Sequence, residues 1–164
     1  MPKVDNAIMS KKDKIALDLR GIINSKNVLS NPDELRPFET DGLTAYRQMP
    51  LLVVMPETVE EVSQILKYCN ENKVKVVPRG AGTGLSGGSM PLEDCVLMAM
   101  GKFNKIIEID YENRCVVTQP CVTNLAITLM LFKTKVFTML QIHLAKLLVQ
   151  LVETLLKILG VFTL

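Results

Sequence analysis

From Val76 to Pro91 the chain reads Val-Val-Pro-Arg-Gly-Ala-Gly-Thr-Gly-Leu-Ser-Gly-Gly-Ser-Met-Pro. Gly80, Gly82, Gly84, Gly87 and Gly88 crowd into one short stretch, directly behind a β-branched run. Glycine admits positive φ and lets a ligand approach the main chain with no Cβ in the way. Successive N–H groups in such a turn make a concave anion site that suits a pyrophosphate. A Walker loop would close on a Lys-Ser/Thr pair and lead into a helix. Here Leu85, Ser86, Gly87 and Gly88 follow, and then Pro91. A G-x-G-x-x-G dinucleotide fingerprint would open a helix. The alternate placing of Gly80, Gly82 and Gly84, with Gly87, Gly88 and Pro91 behind them, opposes a helix start. A helix-free loop wrapped around a dinucleotide fits better. A plain solvent loop stays open on composition alone.

The elements that must hold this loop are legible on both sides of it. Leu51 to Val54 reads as a buried strand stopped near Pro56. Thr58-Val59-Glu60-Glu61 is a capping box: the threonine caps first-turn N–H groups and the glutamate reaches back. Val59, Val62, Ile65, Leu66 and Cys69 then share one face of a helix running to about Asn72. The strand Val74 to Val77 follows. Strand, helix, strand with short joints predicts a βαβ unit with parallel strands. The glycine loop leaves the carboxyl end of its second strand, where open α/β sheets place ligands. Cys95 to Met100 predicts a further strand. Ile106 to Ile109 and Cys115 to Thr118 predict a hairpin around Asp110-Tyr111-Glu112-Asn113-Arg114. Thr123 is a fair N-cap for a helix from Asn124. Near the N-terminus, Ile15, Leu19, Ile22 and Ile23 have helical spacing, and Asn31 to Leu35 reads as a turn.

Several separated motifs, in order, resemble one family. Pro78 to Gly84 with Ser86-Gly87-Gly88, Lys102-Phe103-Asn104 with Ile109-Asp110, and Gln119-Pro120 with Val122 to Thr128 are similar to the PCMH-type FAD-binding domain of FAD-linked 2-hydroxy-acid oxidases. Within that group the likeness is to the FAD subunit of glycolate oxidase and to D-lactate dehydrogenases. It covers residues 36–128. The resemblance implies an α+β fold, the N-terminal portion of such a domain, with a βαβ unit and a second small sheet. It implies FAD as cofactor, held by Pro78, Arg79, Gly80, Ala81, Gly82, Thr83, Gly84, Ser86, Gly87 and Gly88, and by a second segment at Gln119, Pro120, Val122 and Thr123. Backbone N–H groups would meet the pyrophosphate, with the Thr83 and Ser86 hydroxyls as further donors. Arg79 is open to two roles: ligand contact, or a brace bonding loop carbonyls. The family usually has glycine where this chain has Cys121, and a side chain there could crowd the ligand. The implied reaction is oxidation of a 2-hydroxy acid such as glycolate or D-lactate, with hydride passing to flavin N5 and electrons onward to an acceptor. The family's substrate cap and catalytic histidine lie beyond the matching region, so little turnover is expected of this chain alone. A non-catalytic nucleotide-binding module and an interaction protein using an apolar tail are the alternatives.

Composition excludes other classes. With 164 residues and a net charge of +2 the chain has no basic stripe for nucleic acid. The N-terminus lacks an apolar run of the signal-peptide kind, which makes a cytoplasmic setting the expectation. Cys69, Cys95, Cys115 and Cys121 lack metal-ligand spacing, and Cys69 and Cys95 read as apolar packing residues. The single histidine, His143, has no orienting partner in its apolar run and is not a candidate base.

Three stretches result: an N-terminal helical segment 1–35, the partial FAD-binding domain 36–128, and a Leu-rich tail 129–164. In the tail, apolar residues fall all around a helical wheel. Lys133, Lys135, Lys146, Glu153 and Lys157 leave no uncharged run of the ~20 residues that a membrane span needs. The tail makes sense in another frame. Joining the last base of each codon to the first two of the next, Lys135 to His143 permits Gly-Phe-Tyr-Tyr-Ala-Pro-Asp-Pro. The codons onward to Thr154 permit Ser-Ser-Gln-Ile-Ala-Cys-Ser-Ile-Gly-Gly-Asn. This resembles the family's next segment, a second glycine-rich flavin-contacting region, over a length too great for chance. The expectation is a frameshift product of the gene or its sequencing, without a native fold.

Overall fold

The computed structural model describes residues 3–133. The tail beyond residue 133, His143 included, lies outside the described residues. Two compact units divide the chain, Met1–Lys102 and Phe103–Leu164. Each is α+β, as the sequence predicts.

The first unit opens with α1 (Asn6–Met9) and α2 (Lys12–Arg20), the latter burying Ile15, Ala16 and Leu19. β1 (Val28–Leu29) follows. Asn31 to Leu35 is more than a turn: Pro32–Leu35 forms α3, because the Asn31 side chain accepts from the Asp33 N–H and Pro32 starts the helix with φ already set. Next come β2 (Leu52–Val54), α4 (Val59–Glu71), β3 (Lys75–Arg79) and β4 (Cys95–Ala99). The capping box forms as expected: Thr58 Oγ1 accepts from Glu61 N at 3.1 Å while the Glu61 carboxylate reaches back to the Glu57 and Thr58 N–H groups. Val62, Ile65 and Cys69 are the buried face of α4. Val59 is not part of it; at 68 % exposed, it sits in the first turn and clears the sheet.

The sheet order is β1-β2-β4-β3, with β4 parallel to both neighbours. The strands flanking α4 are therefore parallel but not adjacent. The burial pattern explains the insertion. All five residues of β4 are buried, as a central parallel strand covered on both faces requires, whereas β3 is half exposed and takes an edge. Leu35, Val53, Leu97 and Ala99 form a core cluster, against which Phe38 and Val77 pack. Cys69 and Cys95 are buried thiols, as anticipated; burial pushes them up to about 12 and about 11.

At the amino end of β3 and β4, Asp94 is 1 % exposed. Its Oδ2 accepts from Lys75 Nζ at 2.7 Å and from the Asp5 N–H at 2.8 Å. Burial alone would raise this carboxyl; the bonds from Lys75 and Asp5 outweigh it and hold the group below the usual carboxylate value.

In the second unit β5 (Ile106–Asp110) and β6 (Cys115–Thr118) form the expected antiparallel hairpin. Asp110 fixes its turn by accepting from the Asn113 N–H at 2.9 Å and side-chain amide at 2.7 Å. α5 (Asn124–Lys133) starts at the predicted cap, with Thr123 Oγ1 accepting from Ala126 N at 3.2 Å. Ile127 is buried, while Leu125 and Leu129 are exposed. Among the described residues no helix is long and apolar enough to cross a membrane.

Candidate functional site

β3 delivers the chain to the carboxyl edge of the sheet and ends at Arg79, so Pro78 and Arg79 belong to the strand and the loop proper starts at Gly80. Arg79 is buried. Its Nε and Nη2 donate to the Ser89 carbonyl at 3.1 and 2.6 Å, and Nη1 donates to the Phe38 carbonyl at 3.1 Å. The residue at the loop's entrance thus grips the residue at its exit. Burial lowers the pKa of the guanidinium, and the nearby Asp41 carboxylate opposes that shift. Of the two roles open to Arg79, the geometry displays the brace.

Between these clamped ends the backbone is left open. Among the described residues, none accepts a hydrogen bond from the N–H groups of Gly80 through Ser89. Most of the loop is exposed, so these donors are open to solvent, and a run of them at a strand's end can serve an acceptor-rich ligand. The glycines divide by cause. Gly82 (φ +69°) and Gly87 (φ +73°) are in the left-handed region, which favours glycine. A Cβ on Gly84 or Gly88 would meet nothing within 4 Å, so the protein itself does not require glycine there. Those two positions keep the main chain bare on an open side. The exposed hydroxyls of Thr83 and Ser86 complete the donor set.

Arg79, Gly80, Ala81, Gly82 and Thr83 line one wall of a cavity of about 390 Å³. The opposite wall is Pro37, Phe38, Thr40, Asp41 and Gly42. Asp41 is buried and its Oδ1 accepts from the Leu43 N–H at 2.9 Å; Ser89 Oγ donates to Oδ2 over a long 3.4 Å. This second wall escapes a motif-based reading. Its one sequence signal is the Asp-Gly pair at 41–42, an ordinary turn dipeptide.

Gln119, Pro120, Val122 and Thr123 belong to the second unit. Gln119 bridges to Lys105 in both directions, through N–H to carbonyl at 2.9 Å and through Oε1 from the Lys105 N–H at 2.9 Å. Val122 N donates to Gln119 O, closing a turn ahead of the Thr123 cap. Cys121 occupies ordinary backbone: among described non-glycine residues only Lys73 and Arg114 have positive φ. Nothing in the local conformation requires glycine there.

The donor run and bare glycines suit a diphosphate-bearing cofactor, and the comparisons with known proteins agree. The FAD binding domain family matches residues 50–143. The chain is 44% identical to the glycolate oxidase subunit GlcD of Escherichia coli (strain K12) over 128 residues, which is 78% of this chain and 24% of that protein. It is 40% identical over 89 residues to a mitochondrial D-2-hydroxyglutarate dehydrogenase of Arabidopsis thaliana, covering 54% of this chain and 16% of the relative. Among solved structures, p-cresol methylhydroxylase with substrate bound aligns with a TM-score of 0.68 at 27% identity, over 76% of this chain and 25% of that one. The chain thus spans about a quarter or less of the length of these relatives.

Proposed function

The chain belongs to the FAD binding domain family, and from that premise we propose that it supplies the diphosphate-binding part of an FAD-linked oxidoreductase acting on 2-hydroxy acids. One observation carries the reading: the unspent N–H run from Gly80 to Ser89, pinned at both ends by Arg79. A diphosphate offers the acceptors that this run lacks, and charge-assisted bonds from backbone N–H groups are the stronger kind. Arg79 holds the loop's shape through Phe38 and Ser89. Gly84 and Gly88 let the ligand reach the main chain, and Thr83 and Ser86 add hydroxyl donors. Gln119, Pro120, Val122 and Thr123 form the second cofactor-facing segment in this proposal. Bound flavin would supply the hydride acceptor; this chain's residues bind and orient it.

The substrate class comes from the relatives. The E. coli protein is named for glycolate oxidation and the Arabidopsis protein for D-2-hydroxyglutarate, both 2-hydroxy acids. We assign this chain cofactor binding without turnover of its own, and passage of electrons to an acceptor to the longer enzyme. The test is a titration of the purified 164-residue protein with FAD, read by quenching of flavin fluorescence, followed by anaerobic addition of glycolate or D-lactate. Saturable quenching without bleaching of the flavin is the expected result. No quenching would sink the cofactor assignment, and bleaching would sink the division of labour.

For the tail we retain the frameshift proposal. Sequencing the gene through codons 120–164 and onward tests it: one inserted or missing base should restore the Gly-Phe-Tyr-Tyr-Ala-Pro-Asp-Pro frame. A gene that reads as the protein is written would remove the proposal.

A further inference from the structure

We propose that Gly42 is a positioning residue for the cofactor loop: the absence of a side chain there sets the direction of the Gly84 and Leu85 N–H donors. The inference rests on the FAD reading and adds to it a residue far from the glycine motif.

A Cβ on Gly42 would stand 2.7 Å from Thr83 O, 2.8 Å from Gly84 O and 2.9 Å from Thr83 C. All three are backbone atoms, so no rotamer change relieves the clash. Gly42 does not have a left-handed φ. Alanine is acceptable to its own backbone, and space alone demands glycine. Each peptide group is planar and trans, so its N–H points opposite to its C=O. The Thr83 and Gly84 carbonyls lie against Gly42. The N–H groups of Gly84 and Leu85 therefore face away from it, and neither has an acceptor among the described residues.

Asp41 ties the wall to both its own turn and the loop. It is 5 % exposed, its Oδ1 caps the Leu43 N–H at 2.9 Å, and its Oδ2 faces the Ser89 hydroxyl at the loop's far end. A turn at 41–43 thus presses on the loop's carbonyl side, leaving the donor side outward. Two donors at a diphosphate require that orientation before the ligand arrives.

The experiment compares wild type with Gly42→Ala in the full 164-residue chain. FAD affinity is read by fluorescence quenching, and amide positions by two-dimensional NMR. The Gly84 and Leu85 amide signals should move while those of Val53 and Leu97 in the core stay, and FAD affinity should fall about tenfold or more. If wild type and variant bind FAD alike, the inference is overturned and the FAD reading stands. If wild type does not bind FAD, that reading falls, and the amide signals alone decide. Unmoved Gly84 and Leu85 signals would then overturn the inference; displaced ones support it. Should Gly42→Ala lose its native circular dichroism, Asp41→Ala replaces it, since that change adds no atom against the loop and removes both carboxylate acceptors from the turn that carries Gly42. A several-fold loss of FAD affinity with a shifted Leu43 amide is then expected, and unchanged affinity overturns the inference.

Discussion

At the amino end of the β3–β4 pair a buried carboxylate takes hydrogen bonds from Lys75 and Asp5, whereas at the carboxyl end a run of N–H groups from Gly80 to Ser89 finds no acceptor among the described residues. The same two strands feed both ends. At one, a group costly to bury is satisfied by side chain and backbone, so the end is closed to ligands. At the other, the side-chain bonds of Arg79 go to the loop's own frame and to Phe38. The first end serves stability alone; the second serves stability through Arg79 and, in the proposed function, binding. Arg79 joins the two requirements, because it is buried like Asp94 yet holds open what Asp94 would close.

Perturbing each end should separate the two properties, and Arg79 should fail to separate them. Arg79→Ala strips the Ser89 and Phe38 carbonyls of their donors inside a buried site. A loss of about 3 kcal/mol in urea unfolding is expected, together with loss of FAD quenching. Full stability in that variant would break the comparison. Asp94→Asn should cost about 2 kcal/mol, because the half-exposed Lys75 keeps its own hydration, and should leave FAD affinity within error. Its pH signature is specific. The folded carboxyl is held below its unfolded value, so its contribution is present above the ordinary aspartate range near ~3.9 and is lost as pH falls through the depressed folded value. Acid unfolding curves of wild type and Asp94→Asn should converge at low pH; parallel curves would deny the linkage. Thr58→Ala removes one arm of the capping box in the scaffold and should cost about 1 kcal/mol with binding intact. Gly84→Ala should change stability least, within about 0.5 kcal/mol, since a Cβ there meets nothing, while weakening FAD. Equal FAD affinity in Gly84→Ala would show that the bare position is not used.

Local features were legible in the sequence because their causes are local. Thr58 and Glu61 are three residues apart and cap each other. Thr123 caps the helix that follows it, and Asp110 closes a hairpin turn three residues on. Strand order was not legible: nothing near β2, α4 or β3 reports that β4, later in the chain, inserts between the two strands. The second wall of the cavity is not legible in the sequence for the same reason. Asp41 and Gly42 look like any turn until the fold brings Ser89, Thr83 and Gly84 against them. Val59 shows the limit of periodicity, which assigns a face but not how far that face reaches at a helix's first turn.

Pro78 carries a last consequence. β3 forms one edge of its sheet, and the bond from Met100 N to Arg79 O shows that Arg79 turns its polar backbone toward β4. Alternate residues turn the other way, so Pro78 turns the missing N–H of its ring to the side of β3 that pairs with no strand among the described residues. An exposed strand edge is a template for a foreign strand, and a proline there interrupts the ladder such a strand would need. The residue that leads into the glycine loop thus also leaves a gap in the ladder that a strand from another molecule would need on that side.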